Sequence, residues 1–209
     1  MTPAPTCGRS ERIKISLLAE LEGKHLSLAT RHTIGDERVF LCLGSNLDDR
    51  LGYLRAAARA LRNESEITIV GASNVYESAA MYMDEKTPPF LNAAVEIRTS
   101  LEPENLLRVL QRIESGLGRL HGPRARYESR LIDIDIALWG DRRISSSRLT
   151  IPHPGLRYRR FFLQPLVDLD PNLRLPDTDQ TVYERAAQLA RRQHLTRFAT
   201  VEEWADLEC

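Results

Sequence analysis

The sequence predicts an α+β fold of the ferredoxin-like, split βαβ type: an antiparallel sheet with helices packed on one face. Three observations lead there. Segments between Val39 and Trp139 follow the order strand, helix, strand, strand, helix, strand; the two helical segments carry apolar residues at 3.6-residue spacing; and the strand segments are β-branched or alternating apolar runs. With 209 residues and 42% hydrophobic content the chain can bury one continuous core.

The first strand is the apolar run Val39 to Leu43, closed by Gly44, Ser45 and Asn46. Leu47, Leu51, Leu54, Ala58 and Leu61 then share one helical face, which predicts a helix over about 47–62 with Ser45 or Asn46 as N-cap. Ile67 to Tyr76 and Leu91 to Arg98 have strand character and flank a loop, Ser78 to Pro89. Pro103 opens a second amphipathic helix carrying Leu106, Leu107, Leu110, Ile113 and Leu117, which Gly116 and Gly118 bring to an end. After the loop Arg119 to Ser129 comes a fourth strand, Leu131 to Trp139. This organisation divides the chain into an N-terminal extension (1–37), the α+β domain (38–178) and a C-terminal helical tail (179–209) whose stretch Thr181 to Arg191 can dock on the domain. The extension reads either as a segment without chemistry or as a partner-binding arm.

Lys+Arg and Asp+Glu balance at 29 each, so no global field holds a polyanion or an acidic membrane surface, and 6% aromatic content leaves little for base stacking. Nucleic acid and membrane are therefore not expected partners, and protein partners are left open. Only Lys14, Lys24 and Lys86 are lysines, so 26 of the 29 basic residues are arginines, the side chain that grips phosphate in bidentate fashion. Cys7, Cys42 and Cys209 fit neither a disulfide framework nor a metal spacing, and no apolar run reaches the length of a membrane span, which points to a cytoplasmic protein.

The most informative segment is Arg130-Leu131-Ile132-Asp133-Ile134-Asp135-Ile136-Ala137-Leu138. Side chains alternate along a strand, so Ile132, Ile134, Ile136 and Leu138 are expected on one face and Asp133 and Asp135 on the other. Two carboxylates roughly 6.6 Å apart along a strand suit a pair of hard cations about 3.5 to 4 Å apart. Magnesium is the natural candidate, with nucleotide phosphates completing its coordination. The competing reading is an amphipathic strand with an acidic wet face. Against it stand the low strand propensity of Asp and the arginines just upstream, Arg119, Arg124, Arg126 and Arg130, placed to bind phosphate oxygens. Gly-rich phosphate loops and kinase catalytic motifs are missing, so a nucleotide is handled by another geometry. His153, in Ile151-Pro152-His153-Pro154, reads either as a structural histidine or as one presented by a rigid loop.

Taken together, these motifs resemble the 6-hydroxymethyl-7,8-dihydropterin pyrophosphokinase family of folate biosynthesis. The resemblance runs from about Val39 to Pro176 and rests on Leu43-Gly44-Ser45-Asn46-Leu47, Phe90-Leu91-Asn92-Ala93-Ala94-Val95, Gln111-Arg112-Ile113-Glu114, Arg130-x-x-Asp133-x-Asp135, and the segment Leu149 to Leu166 with His153 and Arg159. It implies a ferredoxin-like enzyme that transfers the diphosphoryl group of ATP to the hydroxymethyl oxygen of a reduced pterin and releases AMP. It further implies that Asp133 and Asp135 hold two Mg²⁺ ions, that Arg119, Arg126, Arg130 and Arg159 line the diphosphate, and that His153 contacts the phosphate that stays with AMP. Ser78, Phe90, Asn92, Tyr127 and Phe161 would take the pterin, with Asn92 reading the ring edge and Tyr127 and Phe161 sandwiching it. Gln111, Glu114, Ile136, Arg148, Thr150 and His153 would take ATP.

The chain departs from the family pattern at three places. Arg126-Tyr127-Glu128-Ser129-Arg130 stands for Arg-Trp-Gly-Pro-Arg, Ser78-Ala79-Ala80 for Thr-Pro-Pro, and Asp48 for a glycine in the first turn. The rebuilt loop leaves two other readings: a non-catalytic pterin or nucleotide-binding module, or a diphosphotransferase with a different pterin-like acceptor, for which Met81, Tyr82 and Met83 give room.

Overall fold

A computed structural model describes residues 37–81, 86–119, 129–176 and 178–205, all within the unit His32–Cys209. The expected extension before Glu37, and Arg124, Arg126, Tyr127 and Glu128 of the rebuilt loop, lie outside the described residues.

The elements run β1 (Val39–Ser45), α1 (Arg50–Arg62), β2 (Ile67–Ala72), β3 (Val75–Ser78), β4 (Phe90–Thr99), α2 (Pro103–Gly116), β5 (Asp133–Trp139), β6 (Ile144–Ser145), β7 (Thr150–Ile151), α3 (Arg160–Leu169), α4 (Val182–Leu189), β8 (Thr196–Ala199) and α5 (Val201–Trp204). Strands β5-β1-β4-β3-β8 form one antiparallel sheet, and β2 pairs with β4 beyond β3. The expected single strand Ile67 to Tyr76 is thus two strands on one edge of β4. They part at Ser73, whose hydroxyl takes the Ala94 amide (2.8 Å) and keeps the ladder satisfied across the break.

Helices cover both faces of the sheet, not one. Leu54, Ala57, Ala58 and Leu61 of α1 and Leu106, Leu110 and Ile113 of α2 pack with Leu41, Leu43, Val95, Ile97, Ile134 and Ile136. On the opposite face Phe162, Leu163 and Leu166 of α3 and Val182 and Ala186 of α4 cover Phe40, Cys42, Ala94, Ala137 and Leu138. The sequence reading assigns no element to 160–169, which forms α3 although Pro165 stands inside it. At the sixth position the missing N–H removes only one bond of the ladder, and burial of the apolar face outweighs it.

The alternation expected along β5 fails at its second half. Leu41 pairs with Ile136 but Phe40 pairs with Leu138, so Ala137 is an extra residue in a β-bulge. Leu138 therefore joins the α3 face, opposite to Ile134 and Ile136, while Trp139 returns to the α1 and α2 face.

Neither Ser45 nor Asn46 caps α1. Asp49 does, accepting from the Gly52 amide at 3.0 Å. Asp48 just before it has φ 50°, the left-handed conformation that glycine favours and aspartate tolerates, which fits the glycine that the resemblance implies at this turn.

The tail is more than a docked helix. Strand β8 extends the sheet beside β3, and Trp204, 2% exposed, enters the core with its indole N–H on the Ser73 carbonyl at 2.7 Å. At the other end Glu37 accepts from the Trp139 indole (3.0 Å) and pairs with Arg142 (2.6 Å). No helix among the described residues is long and apolar enough to cross a membrane.

Candidate active site

Register builds the site. Gly44 of β1 stands opposite Asn92 of β4 and Asp133 of β5, and one pair along, Cys42 stands opposite Ala94 and Asp135. Two small residues, Gly44 and Cys42, in the middle of these rows leave a depression on the α3 face, which α3 covers only from Phe161 onward. The result is a cavity of about 340 Å³, large enough for a bicyclic ring and part of a polyphosphate, lined by Ser78, Phe90, Asn92, Arg119, Arg130, Asp133, Asp135, His153, Arg159 and Phe161 among others.

At one end Asn92, 5% exposed, spends its amide on the protein: Nδ2 donates to Ser78 Oγ at 3.0 Å and lies within reach of the Phe90 and Tyr76 carbonyls at 3.2 and 3.3 Å. That fixes the side chain and turns Oδ1 over Gly44 as an acceptor, with Phe90 beside it. Phe161 supplies an aromatic wall, stacked on Phe162 with ring centroids 5.2 Å apart.

The other end is charged. Asp133 is held between two arginines, Arg119 and Arg130, and Arg119 is held in turn by Glu114. Glu114 is buried on α2 and also accepts from the Ile134 amide at 2.6 Å, so it ties the helix, the arginine and β5 together. Burial, more than any neighbour, pushes its carboxyl up to about 7. Asp135 is raised well above the usual carboxylate range, first by burial and then by the charges of Asp133 and Glu114, which outweigh Arg119 and Arg130. Its remaining exposure is into the cavity.

His153 follows the cis Ile151–Pro152 bond, and its own amide donates to the Ala137 carbonyl at 3.0 Å. Nδ1 accepts from the Gly155 amide at 3.0 Å, so the ring proton belongs on Nε2, which lies 3.9 Å from Asp135. Burial and the nearby Arg159 hold this imidazole down to about 4, neutral at physiological pH. The Arg159 guanidinium lies over Phe161 and Phe162, 5.8 and 5.9 Å from the ring centres. Among the described residues it has no carboxylate partner, which leaves a positive charge at the cavity wall for an anion.

Of the residues expected from the sequence, Ser78, Phe90, Asn92, Arg119, Arg130, Asp133, Asp135, His153, Arg159 and Phe161 all meet in this cavity. Arg126 and Tyr127 lie outside the described residues. A second cavity of about 390 Å³, lined by Thr150, Ser145, Arg143 and Arg157, shares His153 and Pro154 with the first. The remaining expected ATP contacts line neither: Gln111 is on the exposed side of α2, Arg148 is exposed before β7, the Ile136 side chain is in the core, and Glu114 acts through Arg119. Sequence reading missed Asn46, 1% exposed, by treating it as a cap. Its Nδ2 donates to Ser129 Oγ (3.0 Å) and the Pro88 carbonyl (3.2 Å), while Oδ1 takes the Arg130 amide (2.6 Å), tying the end of β1 to two loops.

A family model described as 7,8-dihydro-6-hydroxymethylpterin-pyrophosphokinase (HPPK) matches residues 40–171, which include every described cavity residue. The chain belongs to the HPPK family. Relatives with the printed name 2-amino-4-hydroxy-6-hydroxymethyldihydropteridine pyrophosphokinase include those of Bacillus subtilis, 38% identical over 62% of this chain and 76% of that protein, and Haemophilus influenzae, 36% identical over 72% and 92%. The folic acid synthesis protein fol1 of Schizosaccharomyces pombe is 37% identical over 80% of this HPPK-family chain, which spans only 22% of that longer protein. The fold agrees with the HPPK-DHPS crystal structure from Plasmodium falciparum, TM-score 0.59 at 16% identity, covering 75% of this chain and 46% of that one.

Proposed function

We propose that this protein transfers the diphosphoryl group of ATP to the hydroxymethyl oxygen of 6-hydroxymethyl-7,8-dihydropterin, giving AMP and the pterin diphosphate. The observation that carries this reading is the single cavity in which an amide-reading end (Asn92, Phe90, Phe161) and a phosphate-reading end (Arg119, Arg130, Arg159, with Asp133 and Asp135) face one another. A bicyclic ring with N–H donors on its edge fits the first, and a polyphosphate fits the second.

The donor set suits Mg²⁺. Two carboxylates on one strand face supply hard oxygens, and the carboxyl of Asp135, raised first by burial and then by the charges of Asp133 and Glu114, would gain from a cation. Asp133 and Asp135 would hold the metal, two ions in this reading, and bound Mg²⁺ would supply charge neutralisation and polarisation of the attacking hydroxyl. The protein itself aligns and neutralises. Asn92 and the aromatic walls would hold the pterin ring at one end of the row Asn92, Gly44 and Asp133, with its hydroxymethyl group directed toward the charged end. Arg159, Arg119 and Arg130 offset the charge of the phosphates, and neutral His153 presents its Nε2 proton as a donor to a phosphate oxygen. The nucleotide then continues past His153 into the second cavity, beside Thr150. Tyr127 and Arg126 would complete the enclosure from the rebuilt loop. The chain's location in a reducing cytosol belongs to the same reading, as does its action on these small molecules alone.

The test is the formation of AMP from ATP with Mg²⁺, measured with and without the hydroxymethyl dihydropterin. AMP formed only when the pterin is present supports the assignment. ATP binding without turnover would make the chain a binding module, and turnover with another pterin in its place would reassign the acceptor.

A further inference from the structure

The family match ends at residue 171, yet a residue well beyond it grips the backbone on both sides of Arg159. Gln193 sits between α4 and β8. Its side-chain oxygen accepts from the Arg160 amide at 2.6 Å, and its side-chain nitrogen donates to the Tyr158 carbonyl at 2.7 Å. Its own backbone carbonyl takes the Arg160 guanidinium at 3.0 Å. One amide side chain thus spans the peptide groups that flank Arg159, in the way a strand partner would.

Arg159 needs such a fixture. It is the junction between the 3₁₀ turn Leu156–Tyr158 and α3, at φ −124° and ψ 109°, with no side-chain cap at the start of either element. A junction residue of this kind has two soft dihedrals, and a rotation of about ten degrees at its backbone moves a guanidinium on a long side chain by about an ångström. The guanidinium itself is seated closely. A Cβ added to Gly155 would come within 3.0 to 3.1 Å of its Cδ, Nε and Cζ, and Phe161 and Phe162 lie beneath it. The seat holds the tip of the side chain, and Gln193 holds its root.

We propose that Gln193 is a positioning residue for the phosphate-binding arginine Arg159, so that the segment after α4 tunes the anion end of the cavity without lining it. The inference rests on the reading of that end as a phosphate site. Its expected signature is a loss of polyphosphate affinity that exceeds any loss of pterin affinity, because Asn92 and Phe90 belong to β4, away from Gln193, and the third pterin wall, Phe161, is held by its stacking on Phe162.

The experiment measures binding of a non-hydrolysable ATP analogue to the full chain, with Mg²⁺, for Gln193→Ala, Arg159→Ala and the double variant, alongside AMP formation and melting temperature. Expected results are a tenfold or greater loss of analogue affinity in Gln193→Ala, and no further loss when Gln193→Ala is added to Arg159→Ala, since two groups acting through one contact are not additive. Gln193→Glu keeps the acceptor for the Arg160 amide and should recover part of the loss. An unchanged affinity in a folded Gln193→Ala overturns the proposal, and so does a loss of equal size in the Arg159→Ala background, which would mark a general structural role. Should Gln193→Ala not fold, Gln193→Glu decides, and analogue affinity equal to the parent's then counts against the proposal. Analogue binding that depends on Arg159 and Gln193 in a chain without pterin-dependent AMP formation would refute the proposed reaction and leave this inference standing.

Discussion

Replacing Trp204 by alanine should cost this fold a large part of its stability while leaving the cavity chemistry intact. The indole is 2% exposed against the α1 side of the sheet, and its N–H satisfies the Ser73 carbonyl at the break between β2 and β3. Removing a fully buried large aromatic costs about 3–5 kcal/mol in transfer and cavity terms. The orphaned carbonyl is part of that cost, because its separate desolvation is about 1–3 kcal/mol when no water reaches it. Against a total of about 5–15 kcal/mol this is decisive. For a domain of this size each kcal/mol moves the melting temperature by roughly 2–4 °C, so the expected fall is roughly 6–20 °C. Trp204→Phe keeps most of the ring and loses the hydrogen bond, and should fall by about 1–3 kcal/mol, the cost of the unmade bond. Thermal and urea melts, with KM for both substrates on the folded variants, make the assay. A fall below about 2 °C for Trp204→Ala would show that the last strand and helix are not part of the cooperative unit, and the reasoning from burial would be refuted.

Other expectations can be checked with the same variants and assays. Both Asp133→Asn and Asp135→Asn should abolish AMP formation at saturating Mg²⁺, but they should move apo stability in opposite directions: Asp133→Asn strips Arg119 and Arg130 of their shared carboxylate, whereas Asp135→Asn relieves a crowded negative charge. Melting temperatures of both variants without metal test the sign, and turnover within about tenfold of the parent would defeat the metal-ligand assignment, since removing a ligand from a catalytic metal should cost far more. Tyr76 donates to Asp168 and is half-buried, so its phenol is pushed from 10.0 up to about 12, burial first and Asp168 second. A raised folded value means that its contribution is full below pH 10 and is lost as pH rises through 12, so the stability difference between parent and Tyr76→Phe should shrink across that window in urea melts. Tyr127→Ala should weaken pterin binding by about 1–3 kcal/mol, the worth of stacking a ring on an aromatic, and ATP binding by much less; equal losses in calorimetry would argue against a stacking role.

What was legible in the sequence follows from which signals are local. Asp133 and Asp135 share a face because strand alternation needs only three residues of regular ladder, and β1 with Asp135 and Asp133 in register provides it. Leu138 was misplaced because a bulge is fixed by pairing with β1, which no window on β5 can sense. Helix α3, to which the sequence reading assigns no element, carries Pro165, whose cost is local and whose compensation, burial against Phe40 and Ala94, is tertiary. Strand β8 was hidden because its four residues Thr196, Arg197, Phe198 and Ala199 bury one side chain only, and its ladder comes from β3. Asn46 was read as a cap because capping and loop clamping use the same amide chemistry, and only the structure shows which backbone groups answer.

The extra residue at Ala137 gives β5 two independent reading frames. Asp133 and Asp135 face the cavity, and after the bulge Leu138 packs under α3 on that same side of the sheet, while Trp139 turns back to anchor Glu37 and the start of the chain's described fold. A strand in a single frame would link the two tasks: any slip that tuned the aspartates would also turn Trp139 and Leu138 to the wrong faces. Because the bulge absorbs such a slip, the ligand half and the packing half can change separately. An added or lost residue is therefore expected to be absorbed between Ile136 and Leu138, whereas elsewhere along β5 it would exchange the side chains that face α1 and α2 for those that face α3 and the cavity.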